Sequence, residues 1–200
     1  MNPRLRVDLA RLIASQVSVH ACMTGFRMAA PLMALREGMS PAAVGVLLAL
    51  FALAPVFLSL PAGRLADRRG LRHPVRLAVV VASLGTLLSV VWPHFLVLCA
   101  SAIACGAASN VAMIALQRHV GRLAQDPTEL KQVFSWMAVG PSISNFLGPF
   151  LAGIVIDHAG FRWAFFLLAL LPWMAVWWVQ RTQRQAPVVP QAGQGGGSSW

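Results

Sequence analysis

The sequence predicts an all-α membrane protein with six transmembrane helices. Three observations carry this reading. Hydrophobic residues make up 58% of the 200-residue chain, charged residues only 11%, and mean hydropathy is +0.68; a soluble domain has close to a quarter charged residues. The charges are clustered, leaving long uncharged runs. Those runs are continuously apolar rather than alternating, which excludes the strands of a β-barrel.

The expected spans are Leu12–Leu35, Ala42–Ala62, Val75–Trp92, Phe95–Gln117, Gln132–Ile156 and Trp163–Gln180. Each has at least about 18 residues, or about 27 Å of helix, enough for the hydrocarbon core. Residues 1–11 then form an amino-terminal segment, 12–184 one six-span bundle, and 185–200 a tail. The net charge of +10 does not indicate nucleic acid, because the cations sit between spans and not on one soluble face. Thirteen Lys and Arg residues fall on one side of the spans, two (Arg36 and Arg162) on the other, and Arg27 lies within the first span. The positive-inside rule places both termini in the cytoplasm, with the protein in the plasma (inner) membrane. Cys22, Cys99 and Cys105 lie in apolar runs without metal-ligand spacing, so they read as buried thiols. The first apolar stretch is too long for a cleavable signal peptide.

In the first span Gln16, His20, Thr24 and Arg27 follow at spacings of four, four and three, which puts them on one helix face. Polar groups within hydrocarbon are costly, about 2.5–3.5 kcal/mol for a central arginine on insertion scales. Such a stripe should face a water-filled cavity or the bundle interior. Arg27 either attracts an anionic group of a substrate or snorkels to the outer surface. His20 either contacts substrate or hydrogen-bonds between helices.

Between the second and third spans runs Gly63-Arg64-Leu65-Ala66-Asp67-Arg68-Arg69-Gly70-Leu71-Arg72-His73-Pro74, followed by Val75 and Arg76. It reads as a charged connection: Gly63 permits close approach of a neighbour, Gly70 can take a helix-stopping positive φ, and Pro74 suits a helix start. Asp67, alone among cations, can be paired by its neighbours or by another helix end. This string resembles the loop between the second and third spans of major facilitator superfamily transporters. Gly63, Leu65, Ala66, Asp67, Arg68, Gly70, Arg72 and Pro74 match its pattern; Leu71 and His73 depart from it.

The later spans add to the resemblance. Asn110 and Gln117 share a face of the fourth span, as cavity lining or as interhelical hydrogen-bond glue. In the fifth, Ser144-Asn145-Phe146-Leu147-Gly148-Pro149-Phe150-Leu151-Ala152-Gly153 resembles the antiporter motif of the superfamily at Gly148, Pro149 and Gly153. Packing of small residues alone also accounts for it. Pro149 should kink that helix, and Gly140-Pro141 could add a second bend. Gly160-Phe161-Arg162-Trp163-Ala164-Phe165 resembles the connection ahead of the sixth helix, where Arg162 and Trp163 suit a membrane interface. The sixth span is apolar all round.

The resemblance implies one half of a facilitator fold, built as two inverted three-helix repeats. Its first and fourth helices line a cavity and its third and sixth lie outside. The implied function is transport of a small solute by alternating access, as efflux or antiport, with His20, Arg27, Thr24, Gln16, Asn110 and Gln117 as cavity candidates. Gly63, Asp67, Arg68, Gly70 and Arg72 would form a conformational latch, with Asp67 paired to a helix end of a second six-helix bundle. That bundle would come from the same longer chain or from a homodimer. The tail from Gln185 to Trp200, rich in Pro, Gly, Gln and Ser, reads as a flexible linker. It makes the 200 residues the expected front half of a twelve-span protein, with a complete six-span chain as the alternative. Two features depart from proton-coupled relatives. Ala102 stands where they carry an arginine four residues before a glycine (here Gly106), and Asp and Glu are confined to span ends and connections. The expected partners are a small-molecule substrate and the lipid bilayer, without cofactor, metal or nucleic acid. A non-transporting scaffold or sensor is the rival function. An enzyme is not expected, since no nucleophile–base pairing, metal cluster or phosphate loop stands at recognisable spacing.

Overall fold

In the computed structural model, residues 3–122 and 127–182 are described. The predicted linker at 185–200 lies outside them. The described residues form seven helical segments: α1 Pro3–Arg36, α2 Pro41–Arg69, α3 Arg72–Val91, α4 Phe95–Gly121, α5 Pro127–Met137, α6 Val139–Ala159 and α7 Phe161–Gln180. Five stretches are long and apolar enough to cross a membrane: α2, α3, α4, the α5–α6 pair and α7. α1 has the length, with 34 residues, but its polar stripe and terminal arginines keep it outside that group.

Several boundaries differ from the sequence expectation; α1 already begins at Pro3, ahead of the expected Leu12, and the fifth span at Pro127, ahead of the expected Gln132. The charged connection after the second span is mostly helix, because α2 continues through Gly63, Asp67 and Arg68 to Arg69. Nothing in that stretch stops a helix before Gly70, whose φ is +66°. Only Gly70 and Leu71 separate α2 from α3. α4 likewise runs past Gln117 to Gly121. The expected fifth span is interrupted at Ala138, while Pro149 lies inside α6. Pro141 explains the position: it has no N–H to offer the carbonyl of Met137, so the α-helical ladder fails one turn earlier.

α1 is the centre of the bundle, packed against α6, α7 and α4; α2 lies mainly on α4, and α3 lies between α4 and α7. The core joins Phe26, Phe165, Leu12, Leu47, Leu116 and Val75, and Phe26 sits between Phe51 and Phe165, with centroids at 6.1 and 5.1 Å. α2 and α6 leave long apolar rows exposed, Val56, Phe57 and Leu60 on one and Phe146, Phe150 and Ile154 on the other. In water such rows would be unstable surfaces; against lipid or another apolar helix they are not.

Small residues set the closest crossings. At α1–α6, a Cβ on Gly148 would collide with Thr24 Oγ1, the Ala21 carbonyl and the Gly25 nitrogen. At α2–α4, a Cβ on Gly106 would collide with the Phe51 backbone. Gly153 differs, since a Cβ there would meet only Met28 Cε at 3.8 Å. Ser144, Gly148, Ala152 and Ile156 form the buried face of α6.

Candidate functional site

The polar stripe of α1 divides between two neighbours. A four-residue step overshoots a full turn by about 40°, so Thr24 is rotated about 80° from Gln16, whereas Arg27 returns to within about 20°. Accordingly, His20 Nδ1 lies 2.9 Å from Ser109 Oγ on α4, and Gln16 Nε2 points at the Met113 sulfur at 3.3 Å. Thr24 instead donates to the Ser144 carbonyl on α6 at 2.8 Å. Gln16 and Thr24 are buried and His20 is half-buried, while Arg27 is exposed. The space among Gln16, His20, Ser109, Met113 and Leu116 does not admit a water molecule. In this conformation the lower α1–α4 seam is closed. Gln16 Oε1 is buried without a hydrogen-bond partner among the described residues, pressed against the bare backbone of Gly140.

Arg27 continues the seam away from the arginine-rich end, and no carboxylate pairs it among the described residues. On α4, Asn110 turns toward α2, where its Nδ2 reaches Ser59 Oγ at 3.3 Å. Gln117 lies half-buried, seven residues further on the same face. The six cavity candidates therefore do not converge on one pocket. Gln16 and His20 meet α4, Thr24 meets α6, Asn110 meets α2, and Arg27 is left open.

The charged segment after α2 forms a second constellation. Asp67 accepts from Arg118 and from Arg122 Nη2 (2.8 Å), both at the end of α4. Gly63, one turn before Asp67, makes room for this: a Cβ there would lie 2.8 Å from Arg118 Nη2. The partner of Asp67 in this structure is thus a helix end of the same bundle. Arg68 is exposed. Arg72 does something different again, donating to the carbonyls of Gln180 and Thr182 at 3.1 Å each. Arg11 joins it on the carbonyl of Arg181 at 2.7 Å while pairing with Asp8 at 3.1 Å. Two guanidiniums from α1 and α3 therefore cap the carbonyl end of α7, where cations are favoured.

Sequence reasoning did not single out the serines that tie α3 to its neighbours. Ser101 Oγ donates to the Gly85 carbonyl at 2.6 Å and lies 2.8 Å from Ser89 Oγ, and Ser83 donates to the Ala169 carbonyl at 2.7 Å. The available signal was the four-residue repeat Ser101, Cys105, Ser109 along α4, a small-residue face. No group of three or more His, Cys, Asp or Glu able to hold a metal occurs among the described residues.

A sequence model of the Major Facilitator Superfamily matches residues 12–199. No curated protein matches the chain. With a match over nearly the whole sequence and five helices fit to cross a membrane, the chain belongs to the Major Facilitator Superfamily and is a membrane transporter of that kind.

Proposed function

We propose that this chain is one six-span half of an alternating-access transporter for a small solute carrying a negative group. α1 serves as the sixth span, and the helices form two inverted three-helix repeats. Both termini lie in the cytoplasm of a cell whose plasma (inner) membrane holds the protein. A second six-helix bundle, from a longer chain or a second copy, covers the exposed apolar rows of α2 and α6, and rocking between the bundles opens the site to either side. The observation that carries this reading is Arg27: an exposed guanidinium well inside α1, on the face that also bears Gln16 and His20. An unpaired cation at that depth is costly unless it serves an ion or substrate pathway. Efflux or antiport is the direction favoured by the Gly148-Pro149 motif.

The Asp67–Arg118–Arg122 cluster works in this reading as a latch between α2 and α4. Its charges are exposed and screened by salt, which suits a contact that must break and re-form in each cycle. Gly63 and Gly70 shape it, while Arg72 anchors the neighbouring end of α7.

The test is ligand-induced thermal stabilisation of the purified protein across a panel of anionic, neutral and cationic solutes. The expected result is a stabilising anion whose effect is lost in Arg27→Gln and retained in Arg27→Lys. A stabilising solute whose effect survives Arg27→Gln would overturn the assignment of Arg27. The second reading, a non-transporting scaffold or sensor, is favoured by one observation: three of the four stripe residues are engaged by neighbouring helices.

A further inference from the structure

The interruption at Ala138 has a consequence for the side of the bundle formed by α1, α5 and α7. Beyond the break, α6 is held hard against α1 by the Gly148 crossing. Before the break, α5 does not follow, and a groove of about 1110 Å³ opens between it, α1 and α7. Its floor includes Ile13 and Val17 of α1, and its walls include Trp136 and Ile143 on one side and Trp178 on the other. Apart from Arg6 at one end, every lining residue is uncharged. Trp136 and Ile143 are exposed.

Three features identify the occupant. The first is length: the groove follows α1 from Arg6 to Ser18, about 18 Å by helical rise, close to the roughly 15 Å that one leaflet contributes to the hydrocarbon core. The second is polarity. Arg6 stands at the arginine-rich end of the bundle, exposed and without a carboxylate partner among the described residues. The charged end of an amphiphile is thereby placed beside a cation and its tail beside apolar walls. The third is sign. A second copy seated side by side on the same face would bring Arg6 against Arg6, and a cationic amphiphile would meet the arginine-rich end. An anionic one meets no such repulsion. We infer that the groove is a binding site for an anionic glycerophospholipid, one acyl chain lying along Ile13 and Val17 and the phosphate against Arg6. This site faces α5 and α7, not α4, and does not depend on which solute the protein carries.

The full-length protein, reconstituted in vesicles of equal phosphatidylglycerol and phosphatidylcholine with identical chains, would be extracted in mild detergent and its retained lipids counted by native mass spectrometry. Wild type is expected to keep phosphatidylglycerol over phosphatidylcholine by about fivefold, the factor for one cation at an anionic lipid surface. Arg6→Gln should bring the ratio close to one, whereas Arg6→Lys should retain it. Arg64→Gln, at the same end but outside the groove, should not change it. Val17→Trp, which fills the floor, should lower retention of both lipids. Equal retention by wild type, an unchanged ratio in Arg6→Gln, an equal loss in Arg64→Gln, or undiminished retention in Val17→Trp would each overturn the assignment. So would a dimer free of lipid adducts, which would give the groove to a second copy.

Discussion

Replacing Gly148 by alanine adds one methyl group at the tightest point of the α1–α6 crossing. That methyl has nowhere to go: its neighbours are the Ala21 carbonyl and the Gly25 nitrogen, both backbone, and the Thr24 hydroxyl. Inserting a methyl into a packed site costs about 1–3 kcal/mol. Separating the helices also strains the hydrogen bond from Thr24 to the Ser144 carbonyl, 2.8 Å long, and an interhelical bond of this kind contributes about 0.6 kcal/mol in a membrane protein. Alanine's better helix propensity offsets up to about 1 kcal/mol of this, leaving a loss of about 1–3 kcal/mol, and at about 2–4 °C per kcal/mol for a chain of this size Tm should fall by at least about 2 °C. The internal control is Gly153→Ala, five residues along in the same motif. Its methyl would meet only Met28 Cε at 3.8 Å, and alanine is the better helix former by up to about 1 kcal/mol, so Tm should hold or rise. The buried thiols of Cys22 and Cys105 supply the assay, since a thiol-reactive dye reports their exposure on heating. Equal destabilisation by the two substitutions, or none from Gly148→Ala, would refute the packing argument.

Four further outcomes follow from other contacts in the bundle. Asp67→Asn should speed hydrogen exchange at the adjoining ends of α2 and α4, and the difference from wild type should shrink between 0.1 and 1 M salt as the screening length falls from about 10 to about 3 Å. Gly63→Val, by displacing the Arg118 guanidinium, should reproduce that change and add little to it in the double variant; additive effects would separate the two residues. Arg72→Ala should speed exchange in the last turn of α7 by removing the donor to Gln180 and Thr182, and unaltered exchange there would contradict the cap. Gln16→Met should stabilise the protein by about 1 kcal/mol, because it removes a buried carbonyl oxygen that has no partner. Thermal melting checks this, and a lowered Tm would show that the amide is satisfied after all.

Much of the architecture was legible in the sequence because membrane helices are specified locally. Charge clustering marked the connections, Gly70 marked the end of α2, and the Gly63–Pro74 string pointed to the family. What stayed hidden depended on partners distant in the chain. Asp67 was recognisable as a cation-bound carboxylate, but its partners lie 51 and 55 residues away on α4. Gly148 and Gly153 look alike in a motif, and only the position of α1 separates the crowded one from the open one. Two prolines offered a bend in the fifth span, and the helix breaks ahead of the first. Pro141 sits in the first turn of α6, where a missing donor coincides with a helix start, whereas α6 runs through Pro149. The stripe of α1 was a true helical face, yet the 40° drift per four residues handed Thr24 to α6 and left Gln16 and His20 to α4.

The central claim is that Arg27 stands in a solute pathway. Arg27→Cys, in a background with Cys22, Cys99 and Cys105 replaced by alanine, would be treated in intact membranes with a membrane-impermeant thiol reagent. Modification is expected at this position, and none at Leu84→Cys, an exposed position on α3. If Arg27→Cys were as inert as Leu84→Cys, position 27 would face lipid or protein, and the pathway would have to lie elsewhere.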